Sequence, residues 1–125
     1  MPKKKTGMNT LVVGASVKTE RYSNKAIRML LDYGHQVMAL GAREGQVEHI
    51  QIKKGSPSFS DVHTVTMYLG PKNQINIYDY IINLMPKRII FNPGTENREF
   101  MRMAQQKGIE VEEACTLVLL STNQY

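Results

Sequence analysis

A loop between a predicted strand and a predicted helix carries residue types suited to holding an anion. Residues 14–25 read GASVKTERYSNK, so small residues are followed by hydroxyl, amide and cationic side chains. Gly14 allows close backbone approach, Ser16 offers a hydroxyl, and Lys18 and Arg21 offer positive charge. Together with the unpaired N–H groups at the start of the following helix, these residues predict a phosphate-binding loop.

Neither familiar phosphate-binding motif is present in this loop. The dinucleotide fingerprint is G-x-G-x-x-G, and the P-loop is G-x-x-x-x-G-K-[ST]. The next glycine after Gly14 is Gly34, so both patterns are absent. The loop is longer and basic instead, and Ser23 is the predicted N-cap of the helix. A purely structural role remains as the alternative, with Ser23 only capping the helix and the cations solvated.

Arg43 follows the second predicted strand, where nucleotide-binding α/β proteins contact the ribose. An acidic residue there suits a free 2′-hydroxyl, whereas an arginine suits an added phosphate. Arg43 therefore indicates a phosphorylated nucleotide. Because Glu44 is adjacent, an ordinary surface arginine is the alternative.

The other chemistry-bearing residues do not assemble into a catalytic set. His35, His49 and His63 fall in turns or near a strand start, and no triad or metal-ligand spacing can be built from them. We therefore expect that the protein is not an enzyme and holds no metal. Cys115 follows the last predicted strand at the possible head of a helix, where a thiolate would be favoured. The alternative for Cys115 is a small buried side chain.

Composition limits the class of protein. The chain has 125 residues, 42% hydrophobic and 22% charged, which predicts one globular domain. Its apolar runs are too short to span a membrane, and no secretion signal follows the basic N-terminus. The single cysteine favours a reduced, cytoplasmic setting. Lys3–Lys5 supply three of the five net positive charges, which leaves about +2 elsewhere, too little to indicate nucleic-acid binding. We interpret residues 1–8 as a flexible basic tail and residues 9–125 as the domain.

The elements that would position these residues alternate between strands and helices. This alternation predicts an α/β, Rossmann-like three-layer sandwich with a mostly parallel sheet. A short strand is expected around Ile50–Ile52, and CTLVLLSTN could be either a helix or a strand. Ligands of such sheets bind at the carboxyl ends of the strands. Those ends are GAS (14–16), LGAR (40–43), YLGP (68–71), FNPG (91–94) and EAC (113–115). Four of the five contain a glycine, which indicates a binding face, with simple turns as the alternative.

Four stretches of the chain resemble a known family. TLVVGASVKTERYSNKAIRMLLDYGHQVMALG, TVTMYLGP, RIIFNPGTEN and EACTLVLLS are similar to the small, stand-alone CoA-binding proteins. The domain of that family is similar to the N-terminal CoA-binding domain of the succinyl-CoA synthetase alpha subunit. The resemblance implies that CoA lies along the strand ends. The residues implied for its phosphates and adenosine are Gly14, Ala15, Ser16, Arg21, Tyr22, Ser23, Asn24, Gly41 and Arg43; those implied for its pantetheine side are Tyr68, Asn92, Pro93 and Gly94.

The chain also departs from the synthetase pattern. The synthetase has asparagine-proline-lysine after the second strand, whereas this chain has Gly41-Ala42-Arg43 and keeps the positive charge. The synthetase's phosphorylated histidine lies in a second domain, for which we find no counterpart. We therefore predict non-catalytic binding of CoA or acyl-CoA, as a sensor or carrier. The alternatives are an enzyme or enzyme subunit acting on another nucleotide ligand such as NADP, and a thiol-linked redox or interaction protein using Cys115. The apolar residues of CTLVLLS could pack within the chain or across a homodimer.

Overall fold

The computed structural model describes residues 7–125 and contains one seven-stranded sheet. The strand order is β3-β4-β2-β1-β5-β6-β7. β3 pairs antiparallel with β4, and the other adjacent strands in the described chain pair in parallel. The predicted α/β, Rossmann-like sandwich is confirmed.

The strands and helices are short and regularly alternated. The strands are β1 Thr10–Val13, β2 Val37–Leu40, β3 Gly45–Val47, β4 Ile50–Lys53, β5 Thr64–Met67, β6 Arg88–Phe91 and β7 Glu110–Glu113. The helices are α1 Tyr22–Asp32, α2 Pro71–Gln74, α3 Tyr78–Asn83, α4 Arg98–Gln106 and α5 Thr116–Ser121, with a 3₁₀ turn at Ile75–Ile77 between α2 and α3.

The central strand β1 is buried along its whole length because helices cover both faces of the sheet. Leu11 and Val13 face a core layer that includes Ile81 and Phe100, from α3 and α4. Val12 faces the other layer, with residues of α1 and α5. Successive side chains of a strand point to opposite faces, so the two layers lock the register of β1. The two helical layers therefore hold the strand ends in fixed positions.

Three elements differ from the sequence-based expectations. The predicted strand around Ile50 is β4, but it forms a hairpin with the unpredicted β3. The ambiguous CTLVLLSTN forms α5, with Leu120 in the core and Val118 exposed. The prediction that Ser23 is an N-cap is wrong: Arg21 occupies that position without a side-chain cap, and Ser23 is buried inside α1.

The ends of the described chain lie at the amino-terminal edge of the sheet. Lys3–Lys5 of the predicted tail lie outside the described residues. The Met8 amide donates a hydrogen bond of 2.8 Å to His35 Nδ1. Tyr125 packs edge-on against His35 and beneath the Arg88 guanidinium. None of the helices among residues 7–125 is long and apolar enough to cross a membrane; a cytoplasmic setting stays a prediction.

β7 forms one outer edge of the sheet. It carries Glu110, Glu112 and Glu113, of which Glu112 pairs with Arg88 on β6 at 3.4 Å. The backbone of this edge strand has no further strand beside it in the described chain.

We expect His35 to make the fold less stable as the pH falls below its ordinary pKa of 6.5. Burial, and to a smaller extent Arg88, lowers the pKa of His35 in the folded protein. Nδ1 accepts the Met8 hydrogen bond only while it is unprotonated. Below pH 6.5 the unfolded chain therefore binds more protons than the folded one, and stability falls with pH.

Urea unfolding at about pH 7.5 and about pH 5.5 measures this pH dependence. The loss of stability between the two pH values should be smaller in His35→Gln than in the wild type. His49→Gln, in the exposed β3–β4 turn, is the matched control and should behave as the wild type. Equal losses in the wild type and His35→Gln would contradict the assignment.

Candidate functional site

The carboxyl ends of the parallel strands meet at one edge of the sheet. Because β2, β1, β5 and β6 are adjacent, the turns that follow them lie side by side. Gly14 and Ala15 amides both donate to the Leu40 carbonyl, at 2.8 and 3.0 Å. The Tyr68 amide donates to the Val13 carbonyl at 2.7 Å. The carboxyl ends of β1, β2 and β5 are thus hydrogen-bonded directly to one another.

Two of the predicted glycines are needed for this close packing of turns. Gly14 has φ +95°, and a Cβ there would lie 2.9 Å from the Tyr68 carbonyl carbon. A Cβ on Gly41 would lie 2.5 Å from the Ala15 carbonyl oxygen. Both positions are too crowded for any side chain. By contrast, Gly94 has φ +91° with open space around it, so its turn is accessible.

The loop after β1 exposes the predicted cationic side chains. Lys18 and Arg21 are exposed, and neither takes part in an ion pair among the described residues. The Lys18 amide bonds Ser16 Oγ at 3.1 Å, and the Arg21 amide bonds the Lys18 carbonyl at 3.1 Å. The backbone of the loop is therefore held by hydrogen bonds, while the Lys18 and Arg21 side chains have no carboxylate partner among residues 7–125.

Arg43 lies exposed just beyond β2. The two ion pairs in residues 7–125 are Arg28–Glu48 and Arg88–Glu112, so the Arg43 guanidinium has no carboxylate partner within that range. An unpaired guanidinium at a strand end suits a phosphate, which it can bind through two parallel N–H bonds.

Asn24 and Ser23 are not surface residues of the loop. Ser23 is buried in the first turn of α1. Asn24 is 1% exposed; its Nδ2 donates to the Ser16 carbonyl and its Oδ1 accepts from Arg28 Nε, both at 2.9 Å. The Asn24 side chain therefore shapes the loop from within.

A cleft of about 280 Å³ opens at the same edge. It is lined by Tyr22, Tyr68, Asn92, Pro93, Cys115 and Leu117. Five of these six residues are ones that the sequence analysis selected. Tyr22 is 67% exposed, and Lys25 Nζ lies 5.4 Å from the centroid of its ring. The lining is largely apolar, with few polar groups, as in pockets for small organic ligands.

Asn92 supports one wall of the cleft. Its Nδ2 donates to Thr66 Oγ1 at 2.7 Å and to the Met67 carbonyl at 2.9 Å. Its Oδ1 accepts from the Thr116 amide at 2.8 Å, at the first residue of α5. At 2% exposure, Asn92 joins β5, β6 and α5 through its amide, and its amide hydrogens are already used within the protein.

The Tyr68 hydroxyl is the one buried side-chain polar atom without a hydrogen-bond partner in the described chain. The neighbouring Thr66 and Thr116 hydroxyls bond each other at 2.7 Å. Burial, and secondarily the nearby Cys115, raises the pKa of Tyr68 far above its usual value, although the two threonines oppose part of that shift. Tyr68 therefore stays a neutral phenol at physiological pH.

Gln74 was not selected from the sequence, yet it orders two turns of this edge. It is fully buried, and Nε2 donates to the Leu69 carbonyl at 2.9 Å and the Thr95 carbonyl at 2.8 Å. Its Oε1 accepts from Asn97 Nδ2 at 2.9 Å. The stretch PKNQINI has the pattern of a polar helix, and nothing in it shows that Gln74 turns inward. Two of its partners, Thr95 and Asn97, lie more than twenty residues away in the sequence.

Cys115 and the histidines occupy different ends of the domain. Cys115 is half-buried at the start of α5, in the cleft. His35 and His49 line a separate hollow of about 700 Å³ with Asp61, next to the amino ends of the strands. Among residues 7–125, no group of histidine, cysteine and carboxylate side chains is placed to hold a metal ion.

Comparison with known proteins finds one matching family and several solved structures with the same fold. The CoA binding domain family matches residues 8–121. A protein of known structure described only as uncharacterized is 40% identical, with a TM-score of 0.93, over 97% of this chain and all of that one. A hypothetical protein from Pyrococcus horikoshii is 23% identical, with a TM-score of 0.82, over 90% of this chain and 81% of that one. No curated protein matches the sequence.

A larger enzyme shares the fold. The dinucleotide-forming acetyl-coenzyme A synthetase 1 of Ca. Korarchaeum cryptofilum is 20% identical, with a TM-score of 0.71. The match covers 85% of this chain and 25% of the enzyme. At that identity, the likeness concerns the fold alone.

Proposed function

We propose that this chain, which belongs to the CoA binding domain family, binds CoA or acyl-CoA at the carboxyl edge of its sheet. In this proposal the protein binds its ligand without catalysing a reaction. The observation that carries the proposal is the gathering of Tyr22, Tyr68, Asn92, Pro93 and Cys115 around one cleft at that edge. They come from four separate parts of the chain, so the sheet has to bring them together.

The phosphates of CoA would lie on the loop after β1 and on the turn after β2. Lys18, Arg21 and Arg43 are exposed and free of ion pairs with described residues. Ser16 offers its hydroxyl within the same loop, and Gly14, Ala15 and Gly41 let the two turns touch. In this arrangement Arg43 takes the 3′-phosphate of the adenosine, because a guanidinium binds a terminal phosphate through two bonds.

The pantetheine arm would run toward the cleft. Its amides and apolar carbons suit a lining of aromatic and aliphatic side chains with a few polar atoms. Tyr68 lines the cleft and Gly94 has open space around it, so an aromatic side chain and an accessible turn lie at this end. A volume of about 280 Å³ fits the end of the arm rather than the whole cofactor.

The proposal of binding without catalysis has support from the same arrangement. The candidate general bases His35 and His49 lie at the opposite end of the strands. A proton-transferring residue must lie within hydrogen-bond reach of the reacting group, and the described residues that line the cleft include no histidine and no carboxylate.

Titration calorimetry with CoA, dephospho-CoA and NADP tests the proposal. We expect micromolar binding of CoA that weakens about tenfold when the 3′-phosphate is absent, since one charge-assisted contact is lost. Arg43→Ala should weaken CoA by the same factor and should bind CoA and dephospho-CoA equally. Arg102→Ala, an exposed arginine on α4, removes the same charge at a distance and should bind CoA as the wild type does.

Other outcomes of this titration separate the alternatives. Failure of a folded, ligand-free sample to bind CoA would overturn the proposal, and tighter binding of NADP than of CoA would favour an enzyme that acts on a nucleotide ligand.

The position of Cys115 in the cleft favours a thiol-linked second function. There its thiolate would attack the disulfide of oxidised CoA, form a mixed disulfide and release one CoA thiolate. Intact mass of a sample treated with that disulfide, beside a Cys115→Ser control, detects the adduct.

A further inference from the structure

We infer that Asn24 is a positioning residue for the phosphate loop, and that Arg28 and Glu48 fix the orientation in which it acts. The inference deepens the proposed CoA binding and rests on it for its functional meaning. It gives the unpredicted β3–β4 hairpin a part in shaping the site, although the hairpin contributes no side chain to the cleft.

The Asn24 side chain forms a bridge across the loop. Asn24 Nδ2 donates to the Ser16 carbonyl at 2.9 Å, and the two residues are separated by the exposed segment 17–21 and the first residues of α1. Asn24 is 1% exposed, so the bond is shielded from water and is stronger than an exposed one. The bridge ties the start of the loop to the helix that ends it.

Two hydrogen bonds fix the orientation of the Asn24 amide. An asparagine amide can lie in two orientations that exchange its donor and acceptor. Arg28 Nε, which can only donate, lies 2.9 Å from Oδ1. The arginine therefore requires the oxygen on its own side, and this turns Nδ2 toward the Ser16 carbonyl. Without Arg28, only the bond to the Ser16 carbonyl would hold the amide in this orientation.

Arg28 is itself held between two partners. Its Nη1 pairs with Glu48 while Nε holds Asn24, so the guanidinium is used as a two-sided fork. Glu48 lies in the β3–β4 turn with φ +54°, and its carbonyl accepts from Gln46 Nε2 at 2.9 Å. An ion pair this exposed adds little stability by itself. Its effect here is geometric, because it selects the guanidinium orientation that serves Asn24.

The relay thus runs from Glu48 through Arg28 and Asn24 to Ser16. Each bond of the relay joins two groups of the protein, and the side chains of Glu48, Arg28 and Asn24 need no contact with CoA. The consequence is that a ligand meets a loop whose ordering has been completed before binding, which reduces the entropy lost on binding.

Asn24→Asp tests the bridge. The aspartate keeps the size of the side chain and its bond from Arg28, but it presents an oxygen to the Ser16 carbonyl. In the ligand-free protein, hydrogen exchange at the Lys18 and Arg21 amides should speed up about tenfold, while exchange in the last turn of α1 should not change. CoA and dephospho-CoA should both bind about tenfold more weakly, with the ratio between them unchanged.

Further variants separate positioning from charge and from global stability. Arg28→Lys keeps the charge but cannot form the fork, so it should show the same local exchange change in smaller measure. It also serves if Asn24→Asp does not fold. Asn83→Asp, exposed at the end of α3, adds a carboxylate in the other helical layer and should leave exchange and binding unchanged.

The exchange measurement needs no ligand, so its result is independent of the proposed function. Wild-type exchange rates at Lys18 and Arg21 in both Asn24→Asp and Arg28→Lys would overturn the inference. Faster exchange throughout α1 would overturn it as well, since it would show a structural role only. Absence of CoA binding in the wild type would overturn the proposed function while the exchange rates still decide the relay.

Discussion

Asn92→Asp lowers the free energy of unfolding by about 3 kcal/mol at neutral pH, because three buried hydrogen bonds depend on this amide. The replacement puts an oxygen against the Met67 carbonyl, where Asn92 Nδ2 donates at 2.9 Å. It also removes the hydrogen bond that Nδ2 donates to Thr66 Oγ1, whereas the Thr116 amide can still donate to the other carboxylate oxygen. The position is 2% exposed, so water cannot replace the lost partners.

The pH dependence of this variant gives a second expected result. A buried aspartate facing a carbonyl gains a donor when it is protonated, so burial raises its pKa above the unfolded value. Its neutral form therefore stabilises the fold at low pH, and that contribution is lost as the pH rises. The stability difference between variant and wild type should shrink on acidification.

Urea unfolding followed by circular dichroism measures both effects. Asn76→Asp, exposed in the 3₁₀ turn, is the matched control and should change stability by less than about 0.5 kcal/mol. Equal unfolding free energies for Asn92→Asp and the control would show that the amide network does not hold β5, β6 and α5 together.

Gly41→Ala lowers the free energy of unfolding by about 2 kcal/mol, because its methyl group has no room. A Cβ there would lie 2.5 Å from the Ala15 carbonyl oxygen and 2.9 Å from a methyl carbon of Ile52. The Ile52 side chain can rotate, but the Ala15 backbone is bonded to Leu40 at 3.0 Å. The turns after β1 and β2 must therefore separate, and CoA affinity should fall with them.

Gly70→Ala is the control for Gly41→Ala. Gly70 has an ordinary φ of −68°, and nothing lies within 4 Å of a Cβ built there. The same chemical change should therefore alter stability by no more than about 0.5 kcal/mol. Thermal or urea unfolding of the two variants measures the difference, and a Gly41→Ala protein as stable as Gly70→Ala would contradict the packing argument.

The fold was predictable because its signals are local. The buried run before Gly14, the amphipathic pattern through Ile27 and Leu30, and Pro71 at the start of α2 each indicate an element within a few residues. β3 was not predictable, since three residues beginning with a glycine have no strand signal of their own. They become a strand because β4 lies opposite.

The location of the candidate site was predictable from the sequence, but the role of each residue in it was not. Strand ends gather at one edge in any such sheet, so Gly14, Arg43 and Asn92 could be selected from position alone. Whether a polar side chain points to a ligand or into the protein depends on partners that are distant in sequence. Asn24 and Gln74 turn inward for that reason, toward Ser16 in one case and Thr95 in the other.

The acidic edge strand β7 bears on how copies of this chain meet in a crowded solution. The unpaired backbone groups of an edge strand can pair with a strand of another molecule, which begins aggregation through an extended sheet. If two copies met there, Glu110 and Glu113 of each would be brought close to the same carboxylates of the other. At neutral pH this like-charge repulsion opposes a shared sheet, so the edge disfavours fibre-like association of copies through β7.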